Sequence, residues 1–481
     1  MILSLPLRAR TGASKGERKL IATEGKQLNM KNFCLALALA ILACPALAAQ
    51  TAPASTASSG LQQSAGSSVA PAPGTTTQPA TQPKVTAYTL SPELYQKAHN
   101  LGRIHFRFQL ISFVYGLVVL WLILLWKLAP KYRDWAERFS SRRLLQCVVF
   151  SPLLLLTMAV LGLPADLYDQ WISRKYGLSV QGWGSWSWDW VKAELIFFVI
   201  GIILIWLLYT VIRHSARRWW FYFWLCSLPI LLLVFFVSPW IIDPLFHKFE
   251  PLQQKDPALT VSLEQMVQRA GENIPPQRMF WMGAGEKTTT LNAYVTGFGA
   301  SKRIVVWDTT IAKMNTPQIV FVAGHEMGHY VLKHIPKQLA FFAALLFVLF
   351  YLGFRSIGWV LTRWGEKWKI RSLDDWASLP ALLFLLTVFS FVAGPIGSAV
   401  SRHYEHQADQ YGLEVTYGLT PDSGQVAAQG FQILGEVDLA DPDPNPVDVF
   451  LFYSHPPIPD RVQFSLNYDP WSKGEQGEFV K

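Results

Sequence analysis

The sequence predicts a mainly α-helical, polytopic membrane protein with about six transmembrane helices and a soluble part that contains a small β-sheet or hairpin. Two observations predict this class. Half of the 481 residues (51%) are hydrophobic and only 16% are charged, whereas soluble domains average about 25% charged residues. Several apolar stretches also approach the roughly 20 residues that a helix needs to cross a bilayer.

Composition argues against a nucleic-acid-binding protein and against a fold held together by cysteines. The net charge of +9 does not indicate a nucleic-acid partner, because the basic residues cluster in short loops between apolar stretches. The four cysteines are scattered and form no CxxC pair. Zinc held by cysteine and a disulfide framework are therefore both disfavoured.

The N-terminus, residues 1–48, is predicted to be an export signal. A short apolar core at residues 33–43 follows Lys31 and precedes the small-residue pattern Ala46-Leu47-Ala48. This core is too short for a comfortable membrane span. Met30 is an alternative start of the protein, in which case residues before it are an over-extended N-terminus.

The segment after the signal is expected to be a disordered linker. Residues 49–88 are rich in Ala, Ser, Thr and Pro and cannot bury a core. Just before it, Ile41-Leu42-Ala43-Cys44 resembles a weak lipobox. Lipidation of Cys44 is an alternative that the sequence leaves open.

Six apolar segments are predicted to cross the membrane. Four lie in residues 89–240, the N-terminal transmembrane region, and two lie in residues 338–400. The segments are residues 109–127, 144–163, 194–213, 219–240, 338–356 and 376–397.

Basic residues predict the orientation of these spans. The loops after the first, third and fifth spans are rich in Lys and Arg, while the loop after the second is rich in Trp. The positive-inside rule places the three basic loops in the cytoplasm. The remaining soluble regions, residues 241–337 and 401–481, are then expected to face the periplasm of a bacterial inner membrane.

The first soluble region is predicted to contain one amphipathic helix, residues 256–271, followed by short strands and a second helix. The strands predicted there are residues 278–282, 288–294 and 303–307.

An HExxH motif at residues 325–329 indicates the chemistry. Thr316 is the predicted N-cap of a helix that can continue through the motif. His325 and His329 are four residues apart on one helical face, so both can bind one metal ion. Glu326 lies one step round the helix and can take a proton from a water molecule that the metal activates.

The third metal ligand is expected in residues 401–409, because catalytic zinc normally takes three protein ligands. Glu405 is the predicted ligand. Arg402 and Asp409 share its helical face and would support the site, with Asp409 accepting the N–H of a ligand histidine. The sequence thus predicts one Zn²⁺ per chain.

Three other histidines lie near these motifs. His334 comes five residues after His329, off the ligand face, and is predicted to lie at the membrane interface. His403 and His406 occupy a different face of the second helix from Glu405 and are expected to be solvated.

Together these motifs resemble those of the M48 zinc peptidases, in the branch of CAAX prenyl protease 1. HExxH with the S-R-x-x-E-x-x-A-D pattern at residues 401–409 is similar to the family signature. Asn292-Ala293-Tyr294 and residues 302–306 resemble the strand pair that precedes the motif in this branch. Ser454-His455-Pro456-Pro457 with Arg461 resembles its C-terminal motif.

The resemblance implies a barrel of helices around a hydrated chamber and a role for each matching residue. Glu326 would act as general base and then protonate the leaving amine. His455 and Arg461 would stabilise the oxyanion. Asn292 and Ala293 would bind the substrate, a peptide added as an extended strand. The chain departs from the family at its start, where the predicted signal and linker stand in place of a first membrane helix.

The predicted function is that of a membrane-embedded zinc metalloendopeptidase that hydrolyses peptide bonds, with its catalytic site facing the periplasm. One alternative is a non-proteolytic, zinc-stabilised scaffold or chaperone, against which the intact Glu326 argues. Another is a site-2-type intramembrane protease, in which HExxH lies within a span. A transporter is suggested only by the number of spans. The expected partners are a peptide or protein substrate and the lipid bilayer, and the oligomeric state stays open.

Overall fold

A computed structural model describes residues 84–297 and 299–481. The predicted signal peptide, Cys44 and most of the linker lie outside the described residues. Six described helices are long and apolar enough to cross a membrane, and they overlap the six predicted spans, so the prediction of a multi-pass membrane protein is confirmed. They are α1 (Pro92–Leu125), α3 (Arg143–Lys175), α4 (Trp183–His214), α5 (Trp219–Val237), α11 (His334–Trp364) and α12 (Leu379–Thr416).

The other helices lie in the loops and soluble regions. They are α2 (Leu128–Phe139), α6 (Asp243–Phe246), α7 (Leu252–Lys255), α8 (Pro257–Arg269), α9 (Asp308–Lys313), α10 (Thr316–Val331), α13 (Ser423–Val437), α14 (Pro446–Phe452) and α15 (Ile458–Asn467).

One small mixed sheet packs beside the motif helix. Its strands are β1 (Lys248–Pro251), β2 (Met279–Gly283), β3 (Ala293–Thr296) and β4 (Arg303–Trp307). The order is β1-β2-β4-β3, and only the β2–β4 pair is parallel. Strand β3 therefore lies at one edge of the sheet.

The predicted start of the strand at residues 288–294 was wrong by five residues, because β3 begins only at Ala293. The preceding threonines are held elsewhere. The Thr288 hydroxyl donates to the carbonyl of Leu178 at 2.8 Å, and the Thr289 hydroxyl donates to that of Gly177 at 2.8 Å. These contacts tie residues 288–289 to the turn after α3, so the chain joins the sheet only after them.

The three basic loops meet at one end of the helix bundle, which we call the basic end (residues 127–146, 213–218 and 365–378). Arg133 of α2 donates to Asp375 Oδ2 at 2.5 Å. Arg213, at the end of α4, donates to the carbonyl of Asp374 at 3.0 Å. The loops that the sequence places on one side of the membrane are thus in mutual contact.

The opposite part, the sheet end (residues 248–331 and 401–481), combines the sheet, helices α8–α10 and α13–α15, and the C-terminal part of α12. Its core includes Leu263 of α8, Ile304 of β4 and Met327 of α10, each with no exposed surface. This core holds the motif helix against the sheet.

Helix α10 begins one residue earlier than predicted, with Asn315 rather than Thr316 as its N-cap. Asn315 Oδ1 accepts the Gln318 N–H at 3.0 Å, and Gln318 Oε1 accepts the Asn315 N–H at 3.0 Å. This reciprocal capping box satisfies two backbone donors, which a threonine cap at Thr316 would not.

Candidate metal centre

Glycines let the two functional helices, α10 and α12, pack closely. A Cβ atom at Gly328 would lie 2.9 Å from Tyr411 Cβ, and one at Gly412 would lie 3.1 Å from the His325 backbone nitrogen. Larger residues at either position would push the helices apart. Since α10 carries HExxH and α12 carries Glu405, this close approach brings the motif and the predicted third ligand together.

Three potential ligand groups converge between these helices. His325 Nε2 and His329 Nε2 are 3.2 Å apart. Carboxylate oxygens of Glu405 lie 3.3 Å from His325 Nε2 and 3.4 Å from His329 Nε2. Within residues 84–297 and 299–481, this is the one group of at least three His, Cys, Asp or Glu side chains arranged to hold a metal ion.

The spacing and chemistry of this set fit a catalytic zinc ion. Ligands about 2.1 Å from a tetrahedral ion stand about 3.4 Å apart, close to the separations observed here. Two imidazole nitrogens and one carboxylate oxygen also leave a fourth position for water, as catalytic rather than structural sites do.

Asp409 lies behind His325, on the side of the ring away from Glu405. Its Oδ1 is 2.7 Å from His325 Nδ1, and Arg461 contacts both of its oxygens, at 2.9 and 2.6 Å. Burial by itself would lower the pKa of His325, but hydrogen bonds to Asp409 and Glu405 outweigh it and raise that pKa to about 9. A metal ion therefore competes with a proton for His325 Nε2.

Arg461 holds Asp409 with its guanidinium. Both side chains are buried, with 8% and 1% of their surface exposed. A bidentate pair of this kind fixes both partners. The arrangement places Arg461 behind a ligand histidine, and the residue also lines the cleft beside that histidine.

Arg402, on the same helix as Glu405, bonds to the backbone of a neighbouring segment. It donates to the backbone carbonyls of Val449, at 3.1 Å, and Tyr453, at 2.5 Å. It thereby holds the segment that leads to His455, whose Nε2 lies 3.1 Å from a Glu405 oxygen.

His334 contacts His329, although helical spacing predicted it off the ligand face. It has no exposed surface, and its Nδ1 lies 3.2 Å from His329 Nδ1. Helix α10 ends at Val331, and Lys333 takes a left-handed conformation (φ 57°) before α11 begins. Because of this break, the spacing of a continuous helix does not apply to His334. His403 and His406 are exposed, as expected.

A small cleft of about 60 Å³ lies beside His325. Asn292 is buried there, and its side-chain Oδ1 has no hydrogen-bond partner among the described residues. Ala293 begins the edge strand β3 immediately beyond it. Four predicted site residues line the cleft in addition to His325: Asn292, Glu326, His455 and Arg461.

Comparisons with known proteins agree with this geometry. Residues 253–468 match the family described as "Peptidase family M48", and residues 75–248 match "CAAX prenyl protease N-terminal, five membrane helices". A Bacillus subtilis (strain 168) protein named "Uncharacterized metalloprotease YhfN" is 38% identical over 336 residues, which is 70% of this chain and 76% of that protein. The chain belongs to the M48 peptidase family.

Further relatives extend the similarity of this M48 peptidase to eukaryotes. CAAX prenyl protease 1 of Saccharomyces cerevisiae is 24% identical over 411 residues, covering 80% of this chain and 88% of that protein. The human CAAX prenyl protease 1 homolog is 25% identical over 384 residues, covering 70% of this chain and 77% of that protein. The crystal structure of S. mikatae Ste24p shares the fold, with a TM-score of 0.66 and 23% identity over 79% of this chain and 89% of that one.

Fold, family and membrane helices together identify a multi-pass membrane metalloprotease, which acts on peptide bonds. This confirms the predicted family, enzyme class and architecture. The scaffold and transporter alternatives are not supported, because the matched family is one of peptidases. The site-2-type alternative is not supported either, because it needs HExxH within a span, whereas the motif lies in α10, outside the six candidate spans of the described chain.

Proposed function

We propose that this M48 peptidase is a zinc metalloendopeptidase that binds one zinc ion per chain through His325, His329 and Glu405. The observation that carries the proposal is the separation of 3.2–3.4 Å among their ligand atoms, beside a cleft that Glu326 lines. When bound, zinc polarises the scissile carbonyl and lowers the pKa of its water toward ~7.

Glu326 is the proposed general base. It follows a ligand histidine directly, is half-buried, and lines the cleft that the scissile bond would enter. Its carboxylate would take the proton of the attacking water and then give it to the leaving amine.

His455 and Arg461 are proposed to act differently from one another. His455 lines the cleft and lies beside Glu405, so its imidazole can donate a hydrogen bond to the developing oxyanion. Arg461 instead aligns Asp409 and balances its charge, which keeps that carboxylate an acceptor for His325.

The substrate is proposed to bind as an extended strand on β3. The outer edge of β3 pairs with no strand in the described sheet, so its backbone groups offer a template for another chain. The buried Asn292 Oδ1 needs a donor, and a substrate backbone N–H would supply one. The substrates are peptides or proteins, as the CAAX prenyl protease-like relatives suggest.

The proposed location is a bacterial inner membrane with the metal centre facing the periplasm. Contact among the three basic loops at the basic end supports this orientation, since the positive-inside rule then places that whole end in the cytoplasm. The sheet end lies opposite.

The variant Glu326→Gln tests the proposed function. Purified variant protein should retain one zinc per chain by elemental analysis, yet cleave casein about 10²- to 10⁴-fold more slowly, because the base is lost and the ligands remain. Glu405→Ala is the matched variant and should lose both cleavage activity and zinc. Unchanged cleavage by Glu326→Gln would refute the role of this residue, and wild-type protein that binds no zinc would refute the proposed function.

A further inference from the structure

The two ligand histidines differ in what holds their outer nitrogens. The Nδ1 of His325 faces the carboxylate of Asp409 at 2.7 Å. The Nδ1 of His329 faces another imidazole, that of His334, at 3.2 Å. The carboxylate contact is a common arrangement for metal ligands, whereas two imidazole nitrogens can bond only if one carries a proton and the other does not.

A neighbouring amide decides which nitrogen carries the proton. The Nε2 of His334 lies 3.1 Å from Gln407 Oε1, and an amide oxygen can only accept a hydrogen bond. With the amide oxygen of Gln407 on this side, the proton of His334 is on Nε2, and its Nδ1 has a free lone pair. His329 must then donate from Nδ1, which leaves the lone pair of His329 Nε2 directed toward Glu405 and His325.

The surroundings of His334 fix its ring. The imidazole has no exposed surface and stacks on Tyr404, with ring centroids 4.6 Å apart and planes inclined by 20°. The left-handed Lys333 immediately before it turns the chain, so that His334 comes back toward His329. Ring and backbone are therefore both set for a single orientation.

We propose that His334 and Gln407 form a neutral hydrogen-bond relay that fixes the tautomer and orientation of His329 for metal binding. They are positioning residues, and the inference rests on the proposed zinc site. Through this relay, helix α12 supports both ligand histidines, with Asp409 behind His325 and Gln407, two residues earlier, behind His334. A neutral partner forms a weaker hydrogen bond than a carboxylate, so its effect should be smaller than that of Asp409.

The competing explanation is that His334 merely fills space in the core. A filler would be replaced well by an apolar side chain, and Gln407 would have no influence on metal binding. The relay requires an acceptor next to His329 Nδ1, and it requires Gln407 to act only through His334.

Zinc affinity of the full-length protein in detergent, measured by competition with a chelator, separates these explanations. His334→Leu removes the acceptor, whereas the Oδ1 of His334→Asn can take the place of Nδ1. We expect His334→Leu and Gln407→Leu each to weaken zinc binding about 10-fold, the lower end of the range for residues that support metal ligands. His334→Asn should recover most of that loss. The control His403→Leu, at an exposed histidine of α12, the helix that carries Gln407, should bind zinc like wild type.

Two further measurements exclude a purely structural effect. In the double variant of His334→Leu and Gln407→Leu, affinity should be no lower than in His334→Leu alone, because Gln407 acts through His334. The visible spectrum of the Co²⁺-substituted protein should change in His334→Leu and return toward wild type in His334→Asn. Thermal unfolding without added metal checks that each variant folds. If His334→Leu does not fold, the zinc affinity of Gln407→Leu still tests the relay.

The outcomes separate this inference from the proposed function. Zinc binding by wild type that is unchanged in Gln407→Leu overturns the relay and leaves the zinc site intact. Equal losses in His334→Leu and His334→Asn, with an independent loss from Gln407→Leu, also overturn it. Absence of zinc binding by wild type would instead remove the proposed function on which the relay depends.

Discussion

Each end of the molecule contains a buried arginine–aspartate pair. At the basic end, Arg133 lies 2.5 Å from Asp375, and at the sheet end Arg461 lies 2.6 Å from Asp409. The side chains of the two aspartates are 3% and 1% exposed. By distance and burial the pairs are nearly alike.

The pairs differ in the third group that the aspartate binds. Asp375 accepts the backbone N–H groups of Arg371, at 2.9 Å, and Ala377, at 3.1 Å, so it closes a loop. Asp409 accepts from His325, so it orients a potential metal ligand. A buried ion pair is therefore no guide to function by itself, and the additional donor is what distinguishes a structural pair from one that serves a reaction.

Breaking the structural pair should have the largest effect on stability. Asp375→Ala leaves Arg133 buried with the half-exposed Asp134 as its one acidic partner among the described residues. Loss of one member of a buried pair costs about 3–5 kcal/mol. We expect a lower midpoint of thermal unfolding but unchanged zinc affinity in the protein that remains folded. Asp374→Ala, at the exposed neighbour, is the control. A loss of zinc affinity in Asp375→Ala would contradict the distinction between the pairs.

Breaking the other pair should act chiefly on the metal. Asp409→Asn keeps the size of the side chain but can present its amide nitrogen to His325, so zinc affinity should fall about 10- to 100-fold. The same chelator competition measures it, with Asp375→Asn as the matched variant. If Asp375→Asn weakened zinc binding as much as Asp409→Asn, the comparison would fail.

A third buried aspartate, Asp448 at the sheet end, extends the comparison because no Arg or Lys forms an ion pair with it in the described chain. Burial, with repulsion from Asp441 adding to it, raises the pKa of Asp448 to about 7. A raised carboxyl pKa favours the folded state below the unfolded value of ~4, and this stability is lost as pH rises through about 7.

Asp448→Asn should therefore have the smallest effect, with the opposite sign. At pH 8 the free energy of unfolding of the variant should exceed that of wild type by about 1–2 kcal/mol, and the difference should shrink toward pH 4. Thermal unfolding across this pH range measures it. A variant that is less stable at pH 8 would show that the charged carboxylate has a favourable partner.

Local patterns predicted much of this molecule. The six spans follow from runs of apolar residues, and the convergence of His325, His329 and Glu405 follows from helical spacing and family motifs. The contacts of two other residues depend on the tertiary fold. Arg402 bonds carbonyls 47 and 51 residues away, and His334 depends on a single left-handed residue, Lys333, for which the helical pattern gives no signal.

Helix α12 has a practical consequence for work on this enzyme. It runs without interruption from Leu379 near the basic end to Thr416, and Glu405 and Asp409 lie on its final turns. At 1.5 Å per residue it is roughly 57 Å long, more than the thickness of a bilayer. An excised water-soluble fragment that starts after the last span would retain these carboxylates. It would lack the membrane-spanning part of α12, which holds them in position. Biochemical and inhibitor studies therefore require the intact chain in detergent, nanodiscs or liposomes.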